Sequence, residues 1–230
     1  MLTCDDLTLR QGAFTLRADW SLSPGLTAVI GPSGGGKSTL LSAIAGFLDP
    51  ASGCVLWDGR NLSGAAPGNR PVTMLFQDNN LFPHLTVAQN AGLGLVPSLR
   101  LTKDHSDRVA VALDRVGLAG LGDRKPNALS GGQQSRAALA RVLLADRPVV
   151  LLDEAFAALG PALRAQMLEL VQSILVAAGR TVLMVTHDPA DAQNVADNVI
   201  LVSDGYAHPP QDTGALFADP SPELRRYLGT

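Results

Sequence analysis

The sequence predicts an α/β fold built on a largely parallel β-sheet that helices cover on both faces. Two observations support this prediction. Short runs rich in valine, leucine and isoleucine alternate with longer stretches whose apolar residues recur every three or four positions. One short run leads through a glycine-rich loop directly into one of the longer stretches. Parallel neighbours need a crossover connection, so strands separated by helices favour a parallel sheet.

The glycine-rich loop at residues 31–38 reads GPSGGGKS, which matches the G-x-x-x-x-G-K-S pattern of a phosphate-binding loop. Residues 27–30 form an apolar strand before it, and residues 38–47 predict a helix after it. This strand–loop–helix order is the context that the motif requires. The apolar face of the helix is expected to consist of Leu40, Leu41, Ile44 and Phe47.

Further apolar runs predict strands, and one long periodic stretch predicts a helix. The strands are expected at residues 72–76, 149–152, 181–185 and 199–202. The helix is expected at residues 162–178, and Gly179 fits its C-terminal end. Its apolar stripe consists of Leu163, Met167, Leu170, Val171, Ile174 and Leu175.

The remaining segments carry other signals, and residues 86–128 break the alternation. The pairs Asp58-Gly59 and Asp204-Gly205 follow β-type runs and suit hairpin turns, the first within an antiparallel portion near the N-terminus. Residues 86–128 carry glycine, proline and leucine and then a helical stripe. The tail from Pro209 onward is rich in proline, with a short helical piece at residues 223–228. The helical stripe within residues 86–128 consists of Val109, Ala112, Leu113 and Val116.

The composition suits a folded domain without a general affinity for nucleic acid. Apolar residues make up 46% of the 230 residues, and the net charge is −3. One of only three lysines, Lys37, lies in the glycine-rich loop. Cys4 and Cys54 lack metal-site spacing, and we expect both to be buried thiols in a reducing compartment.

The sequence shows no run of about 20 apolar residues that could cross a membrane, and its first residues are acidic where a signal peptide is basic. We therefore expect the chain to stay in the cytosol. If it serves a membrane process, another chain must span the bilayer.

The phosphate loop predicts a site for a nucleoside triphosphate. Its glycines let several backbone amides point at one anion, and the start of the following helix adds positive potential. Lys37 can reach the β- and γ-phosphates, and Ser38 can offer its hydroxyl to Mg²⁺. A glycine-rich turn with a stray lysine is the alternative. The residues predicted to bind the nucleotide here are Gly31, Pro32, Ser33, Gly34, Gly35, Gly36, Lys37, Ser38 and Thr39.

Two more motifs follow. The apolar run at residues 149–152 ends in Asp153 and Glu154, and an acid at a strand end beside a phosphate loop can hold Mg²⁺. Two acids that cap the next element are the alternative. The segment Leu129-Ser130-Gly131-Gly132-Gln133 predicts a helix capping box, and such a helix start with adjacent glycines also suits an anion.

These three motifs, in this order, resemble the ATP-binding cassette (ABC) ATPases, and the resemblance extends from the first strand to about Gly205. It implies a single ABC ATPase domain over residues 1–230, a P-loop ATPase core with a mostly parallel sheet and a small antiparallel β-subdomain. The core is expected at residues 1–85 and 136–230, with an inserted helical subdomain at about 86–135.

The resemblance also implies roles for individual residues. Glu154 would orient or deprotonate the attacking water, and His187 would contact the γ-phosphate. Gln77 would join Ser38 and Asp153 at Mg²⁺. Phe14 is the nearest ring to the place where the family stacks an aromatic residue on adenine. The residues that would contact ATP held by a head-to-tail partner are Ser130, Gly131, Gly132 and Gln133.

The sequence departs from the family pattern just after Glu154. Ala155, Ala157 and Gly160 stand where the family usually has proline, serine and aspartate, and the last two normally link the two sites of the dimer. Coupling or hydrolysis is therefore expected to be altered. Gln134-Ser135 replaces a common Arg-Gln, with little expected effect on phosphate contacts.

Residues 70–82 and 85–95 further resemble the ATPases of bacterial thiamine importers. This resemblance implies a peripheral subunit on the cytoplasmic face of the inner membrane that uses ATP and Mg²⁺ for uptake of thiamine or its phosphates. Its expected partners are permease subunits, a solute-binding protein and a second ATPase subunit of the same kind, with no nucleic acid. The alternatives are an importer ATPase for another solute, an ABC ATPase not tied to transport, and a nucleotide-binding module that no longer hydrolyses.

Overall fold

The computed structural model of the protein describes residues 1–229, in which strands and helices alternate along most of the chain. The strands are β1 (Leu2–Gln11), β2 (Phe14–Leu22), β3 (Gly25–Ile30), β4 (Ser52–Trp57), β5 (Arg60–Asn61), β6 (Val72–Leu75), β7 (Val149–Asp153), β8 (Thr181–Val185), β9 (Asn198–Ser203), β10 (Tyr206–Ala207) and β11 (Gln211–Asp212). The helices are α1 (Lys37–Ala45), α2 (Val87–Gly92), α3 (Lys103–Arg115), α4 (Gly131–Ala145), α5 (Pro161–Val171), α6 (Pro189–Val195), α7 (Thr213–Ala218) and α8 (Pro222–Leu228).

The strands form one sheet in the order β5-β4-β1-β2-β10-β9-β3-β8-β7-β6, and β11 pairs with β9. The block β9-β3-β8-β7-β6 is parallel, and β1, β2, β4 and β5 are antiparallel. Alternate residues of β7 face opposite sides: Val150 and Leu152 join one hydrophobic core, and Val149 and Leu151 join the other. Burial on both faces explains the near-continuous apolar runs of these strands, and the predicted α/β fold with its antiparallel portion is confirmed.

Both Asp-Gly hairpins occur as predicted. Asp58 and Gly59 join β4 to β5, and Asp204 and Gly205 join β9 to β10. All four residues have positive φ, from +47° to +79°, which is the backbone of a two-residue type I′ turn.

The first helix after the phosphate loop is shorter than predicted. It ends at Ala45, where Gly46 adopts a left-handed conformation with φ of +90°. Phe47 therefore lies beyond the helix and is 59% exposed, so its predicted place on the apolar face was wrong. Its ring instead lies beside Phe76, at a centroid distance of 6.2 Å.

The long helix predicted at residues 162–178 is present with a change of pitch. It begins as α5 and continues through a π-helical segment, Gln172–Val176, in which the amide of Ala177 donates to the carbonyl of Gln172. Gly179 follows with φ of +72°, in agreement with the predicted end.

Helices α2, α3 and α4 lie between β6 and β7 along the chain and pack on one another. Of these, α2 and α3 lie within residues 86–128, where the sequence breaks the alternation of strands and helices. The expected boundary at residue 135 lies within α4, which continues to Ala145 and contacts β6. Cys4 is buried and Cys54 is half-buried, and both are free thiols. Within residues 1–229, no helix is long and apolar enough to cross a membrane.

Candidate active site

The phosphate loop connects β3 to α1 in a tight path that only glycine fits at two positions. Gly31 and Gly36 have φ of +144° and +105°. A Cβ on Gly31 would lie 2.1 Å from the carbonyl oxygen of Val202, and one on Gly36 would lie 2.6 Å from the ring of Phe14. The loop therefore cannot carry larger residues at these positions without moving, which keeps its backbone close to any bound phosphate.

Lys37 is buried at the start of α1. Its ammonium group donates to the carbonyl oxygens of Gly31 and Pro32, at 2.8 and 2.9 Å. Burial lowers the pKa of Lys37, and the carboxylates of Glu154 and Asp153 partly oppose that shift. The loop thus surrounds the ammonium group of Lys37, at the place where the phosphates of a nucleotide would bind.

Ser38 and Asp153 face each other across the site. The Ser38 hydroxyl donates to Oδ1 of Asp153 at 3.0 Å. Burial raises the pKa of Asp153, and the hydrogen bond from Ser38 lowers it. A hydroxyl and a carboxylate are hard oxygen donors of the kind that Mg²⁺ takes together with nucleotide phosphates and water. Within residues 1–229, no group of three or more His, Cys, Asp and Glu side chains is arranged so that it could hold a metal ion.

Glu154 lies just past the end of β7 in a backbone conformation unusual for a non-glycine residue. Its φ is +48°, and its amide donates to the carbonyl of Val185 on β8 at 3.2 Å. This turn brings the carboxylate to the wall of the phosphate-loop cleft. Its Oε2 lies 3.7 Å from Nδ1 of His187.

The loop that carries His187 is fixed by polar contacts on either side of that residue. Thr186 donates to Asp191 at 2.9 Å and accepts from the amide of Asp188 at 3.1 Å. Arg164 of α5 lies 3.4 Å from the carboxylates of both Asp188 and Asp191. The helix that follows the loop at Gly160 is therefore tied to the loop of His187.

The cleft beside the phosphate loop has a volume of about 390 Å³, within the range of ligand pockets. Phe14 packs its ring over Gly36 at one side. Near it, the Thr39 hydroxyl donates to Oε1 of Gln11 at 3.3 Å. The residues that line the cleft are Gln11, Phe14, Ser33, Gly34, Gly36, Lys37, Ser38, Thr39 and Glu154.

The segment at residues 129–133 caps α4 as predicted. The Gln133 amide donates to the Ser130 hydroxyl at 3.4 Å, and the Ser130 amide donates to the Gln133 side chain at 3.0 Å. Ser130 and Gly131 are exposed, and the lining of the phosphate-loop cleft includes neither of them. One chain therefore does not bring this segment to its own phosphate loop. Gln77, also exposed, follows β6, the strand next to β7.

Comparison with known proteins agrees with this geometry. The family profile described as ABC transporter matches residues 17–157. The chain is 64% identical to the thiamine import ATP-binding protein ThiQ of Cereibacter sphaeroides and 57% identical to that of a Ruegeria species, over 100% of each chain. The chain belongs to the ABC transporter family.

Solved structures of ABC proteins share the fold. An ATP-binding cassette determined as a dimer in a post-hydrolysis state, bound to ADP and Pi, has a TM-score of 0.77 at 28% identity over 93% of this chain and 99% of that one. A part of the cbiONQ ABC transporter complex of Clostridium perfringens has a TM-score of 0.81 at 29% identity, over 99% and 94%.

Three of the positions where this ABC chain departs from the family pattern, Ala155, Ala157 and Gly160, lie in the loop between β7 and α5. Gly160 has φ of −63° and ψ of 157° and starts α5 without a side-chain cap. A Cβ at Gly160 would meet no atom within 4 Å. Ala155, in contrast, is buried. The glycine at residue 160 is therefore not required by local packing.

Three residues escaped the sequence analysis: Arg164 and Tyr227 beside this ABC site, and Arg70 at the end of α1 opposite the phosphate loop. Arg164 has no motif that marks it. Arg70 is buried and donates to the carbonyls of Ala43 and Ile44, which end α1, but its contact with them crosses 26 or 27 positions. Tyr227 of α8 donates to the carbonyl of His187. The sequence predicted the short helix at residues 223–228 but not its contact with His187.

Proposed function

We propose that this chain is the ATP-hydrolysing subunit of an ABC importer and that its solute is thiamine or its phosphates. The observation that carries the ATPase assignment is the placement of Glu154 on the wall of a cleft that also holds the phosphate loop. A carboxylate at that place can act on a water molecule next to the terminal phosphate.

The residues of the phosphate loop bind and orient the nucleotide in this proposal. Lys37 and the loop amides hold the β- and γ-phosphates, and Ser38, Asp153 and Gln77 hold Mg²⁺. The ion, when bound, neutralises charge that develops on the phosphates. Phe14 lies where it contacts the ribose or base. The close approach of loop backbone at Gly31 and Gly36 supports this arrangement.

Glu154 and His187 act on the reacting end. Glu154 orients the attacking water and takes up its proton, and His187 donates to an oxygen of the γ-phosphate. Their separation of 3.7 Å leaves both groups free to face a third partner instead of each other. The left-handed backbone at Glu154 supports a functional role, because such strain is commonly kept where it positions a reacting group.

The complete site requires a second copy of the chain. Ser130, Gly131, Gly132 and Gln133 would contact the γ-phosphate bound by the partner, in a head-to-tail dimer with two composite sites. The exposed capped start of α4 supports this, since its amides and helix dipole suit an anion. We also propose the division into a core of residues 1–85 and 136–230 and a helical insert of about 86–135.

The importer assignment rests on the relatives named for thiamine import at 64% and 57% identity over the whole chain. Permease subunits would span the bilayer, and a solute-binding protein would deliver the solute. This chain would then act as a peripheral subunit on the cytoplasmic face of the membrane. An ATPase for another solute is the second candidate, because the ATPase does not itself bind the transported molecule.

A reconstituted transporter tests the proposal. The chain, its permease and its binding protein are placed in lipid vesicles, and phosphate release and solute uptake are measured with thiamine, thiamine phosphates or unrelated vitamins. Uptake and faster hydrolysis should follow thiamine compounds, and Lys37→Ala should abolish both. Lys103→Ala, at the exposed start of α3, is the matched control. Stimulation by another solute alone would support the second candidate.

A further inference from the structure

The C-terminal helix α8 packs against the candidate active site. Leu224 of α8 is fully buried in the core, and its amide donates to the Ser221 hydroxyl at 3.2 Å. One turn later, the Tyr227 hydroxyl donates to the backbone carbonyl of His187 at 3.1 Å. The helix therefore delivers one phenol to the main chain of a residue proposed to contact the γ-phosphate.

The same phenol is near the phosphate loop. Tyr227 and Pro32 of that loop line one small pocket. Burial raises the pKa of Tyr227, the backbone of Gly31 lowers it, and the carboxylates of Asp188 and Glu154 raise it further. With its pKa above the ordinary value of 10.0, Tyr227 keeps its proton at neutral pH and remains a donor.

Within the described residues, no hydrogen bond fixes the imidazole of His187. Its side chain is 55% exposed, and its polar contact within the described residues is the one with Glu154 at 3.7 Å, which is too long for a hydrogen bond. The region that the ring can reach therefore depends on where the backbone of His187 is fixed. That backbone is held by the neighbouring Thr186–Asp188 contact and by Tyr227.

We infer that Tyr227 is a positioning residue, whose hydroxyl holds the backbone of His187 beside the phosphate loop so that the imidazole can reach the γ-phosphate. This inference rests on the proposed ATPase function, because the role of His187 belongs to it. The C-terminal helix then contributes to turnover, although none of its side chains lines the phosphate-loop cleft.

The test compares Tyr227→Phe with Tyr206→Phe in the full chain. Tyr227→Phe removes the hydroxyl and keeps the ring. Tyr206 is exposed, and its hydroxyl meets Arg17 at 3.4 Å, so Tyr206→Phe makes the same chemical change at a distant surface. Three quantities are measured: kcat and KM for ATP with the permease present, the melting temperature, and amide hydrogen exchange of residues 186–190 without nucleotide.

Tyr227→Phe should lower kcat about three- to tenfold, as expected for one lost hydrogen bond that orients a reacting group, and leave KM within about twofold. It should speed exchange at residues 186–190 several-fold and leave the melting temperature near that of the wild type. Tyr206→Phe should change none of these. Normal turnover and exchange in Tyr227→Phe would overturn the inference, as would a parallel fall of kcat, ATP affinity and melting temperature, which indicates general destabilisation.

The exchange measurement separates this inference from the function on which it rests. A wild-type transporter that hydrolyses no ATP would refute the proposed function. Faster exchange at residues 186–190 in Tyr227→Phe would still support the hold on the His187 backbone, and unchanged exchange would refute it.

Discussion

Glu154 combines a left-handed backbone with a side chain that is 30% exposed at the wall of the cleft. The hydrogen bond from its amide to the carbonyl of Val185 on β8 fixes this turn, so the sheet determines where the carboxylate lies. A side chain placed in this way can act on water without contributing to the grip on the phosphates.

Glu154→Gln should therefore separate binding from hydrolysis. The amide keeps the shape and loses the negative charge, so ATP should bind with unchanged affinity. Phosphate release should fall about a hundredfold or more, because a general base is removed. An ATP-bound dimer should accumulate on gel filtration. Glu169→Gln, on the exposed side of α5, serves as the control, and wild-type turnover in Glu154→Gln would place the base elsewhere.

The residues of the phosphate loop and the Asp153-Glu154 pair could be assigned roles from the sequence because short local patterns mark them. Those roles remain predictions, although the structure brings Lys37, Ser38, Asp153 and Glu154 around one cleft. Tyr227 could not be found in this way, since its partner lies 40 positions away and contact follows only from how α8 packs.

At the scale of elements, α5 begins at Gly160 without a capping side chain, in an extended conformation that any residue can adopt. The space around it is open. Aspartate at this position accepts hydrogen bonds from the first free amides of a helix and complements its dipole.

Gly160→Asp should raise the stability of the chain by a few tenths of a kcal/mol, seen as a higher melting temperature. With the permease present it should also raise the ATPase rate or its cooperativity in ATP, because the family's aspartate links the two sites. Gly160→Asn caps the helix without the charge and separates the two effects. Identical rates and Hill coefficients for Gly160→Asp and the wild type would show that the glycine is silent in coupling.

Arg164 joins the same helix to the loop of His187. Its side chain is 16% exposed and lies between the carboxylates of Asp188 and Asp191. Arg164→Met should lower stability by about 1–2 kcal/mol, because two carboxylates lose their cation in a partly buried place.

The same change should slow hydrolysis more than it weakens ATP binding. Chemical denaturation and steady-state kinetics measure the two effects. Arg225→Met breaks an exposed ion pair with Asp219 and should cost almost nothing. An equal loss of unfolding free energy in Arg164→Met and Arg225→Met would mean that the Arg164 contacts do not stabilise the fold.

Strands were easier to predict than helix ends, for physical reasons. The central strands are buried on both faces, so an apolar run marks each one directly. Phe47 was misplaced because Gly46 ends α1 two residues earlier than the apolar spacing suggests. The π-helical segment after α5 leaves no trace in the sequence, since it keeps the same residues buried with one extra residue in a turn.

At the scale of the whole molecule, the capped start of α4 and the phosphate loop are separate surfaces of one chain. A composite site needs two copies in a closed head-to-tail arrangement. Ser130→Asp tests this closely, because aspartate caps a helix as well as serine does and places a negative charge toward the partner's γ-phosphate.

Chains carrying Ser130→Asp or Lys37→Ala should each be inactive alone. Mixed in equal amounts, they should recover about a quarter of wild-type activity, since about half of the dimers are mixed and each contains one intact composite site. Ser130→Asn, which caps without charge, should stay active. No recovery in the mixture would show that both motifs act within the same chain.

The position of α8 has a practical consequence for anyone who handles this protein. A purification tag or a fused fluorescent protein added after Thr230 is separated by only two residues from α8, the helix that contacts the backbone of His187. Met1 precedes β1 at the antiparallel side of the sheet, where its ammonium group forms an exposed ion pair with Asp58 that contributes little stability. Attachments at the N-terminus should therefore leave turnover intact, and C-terminal ones should be removed before rates are compared.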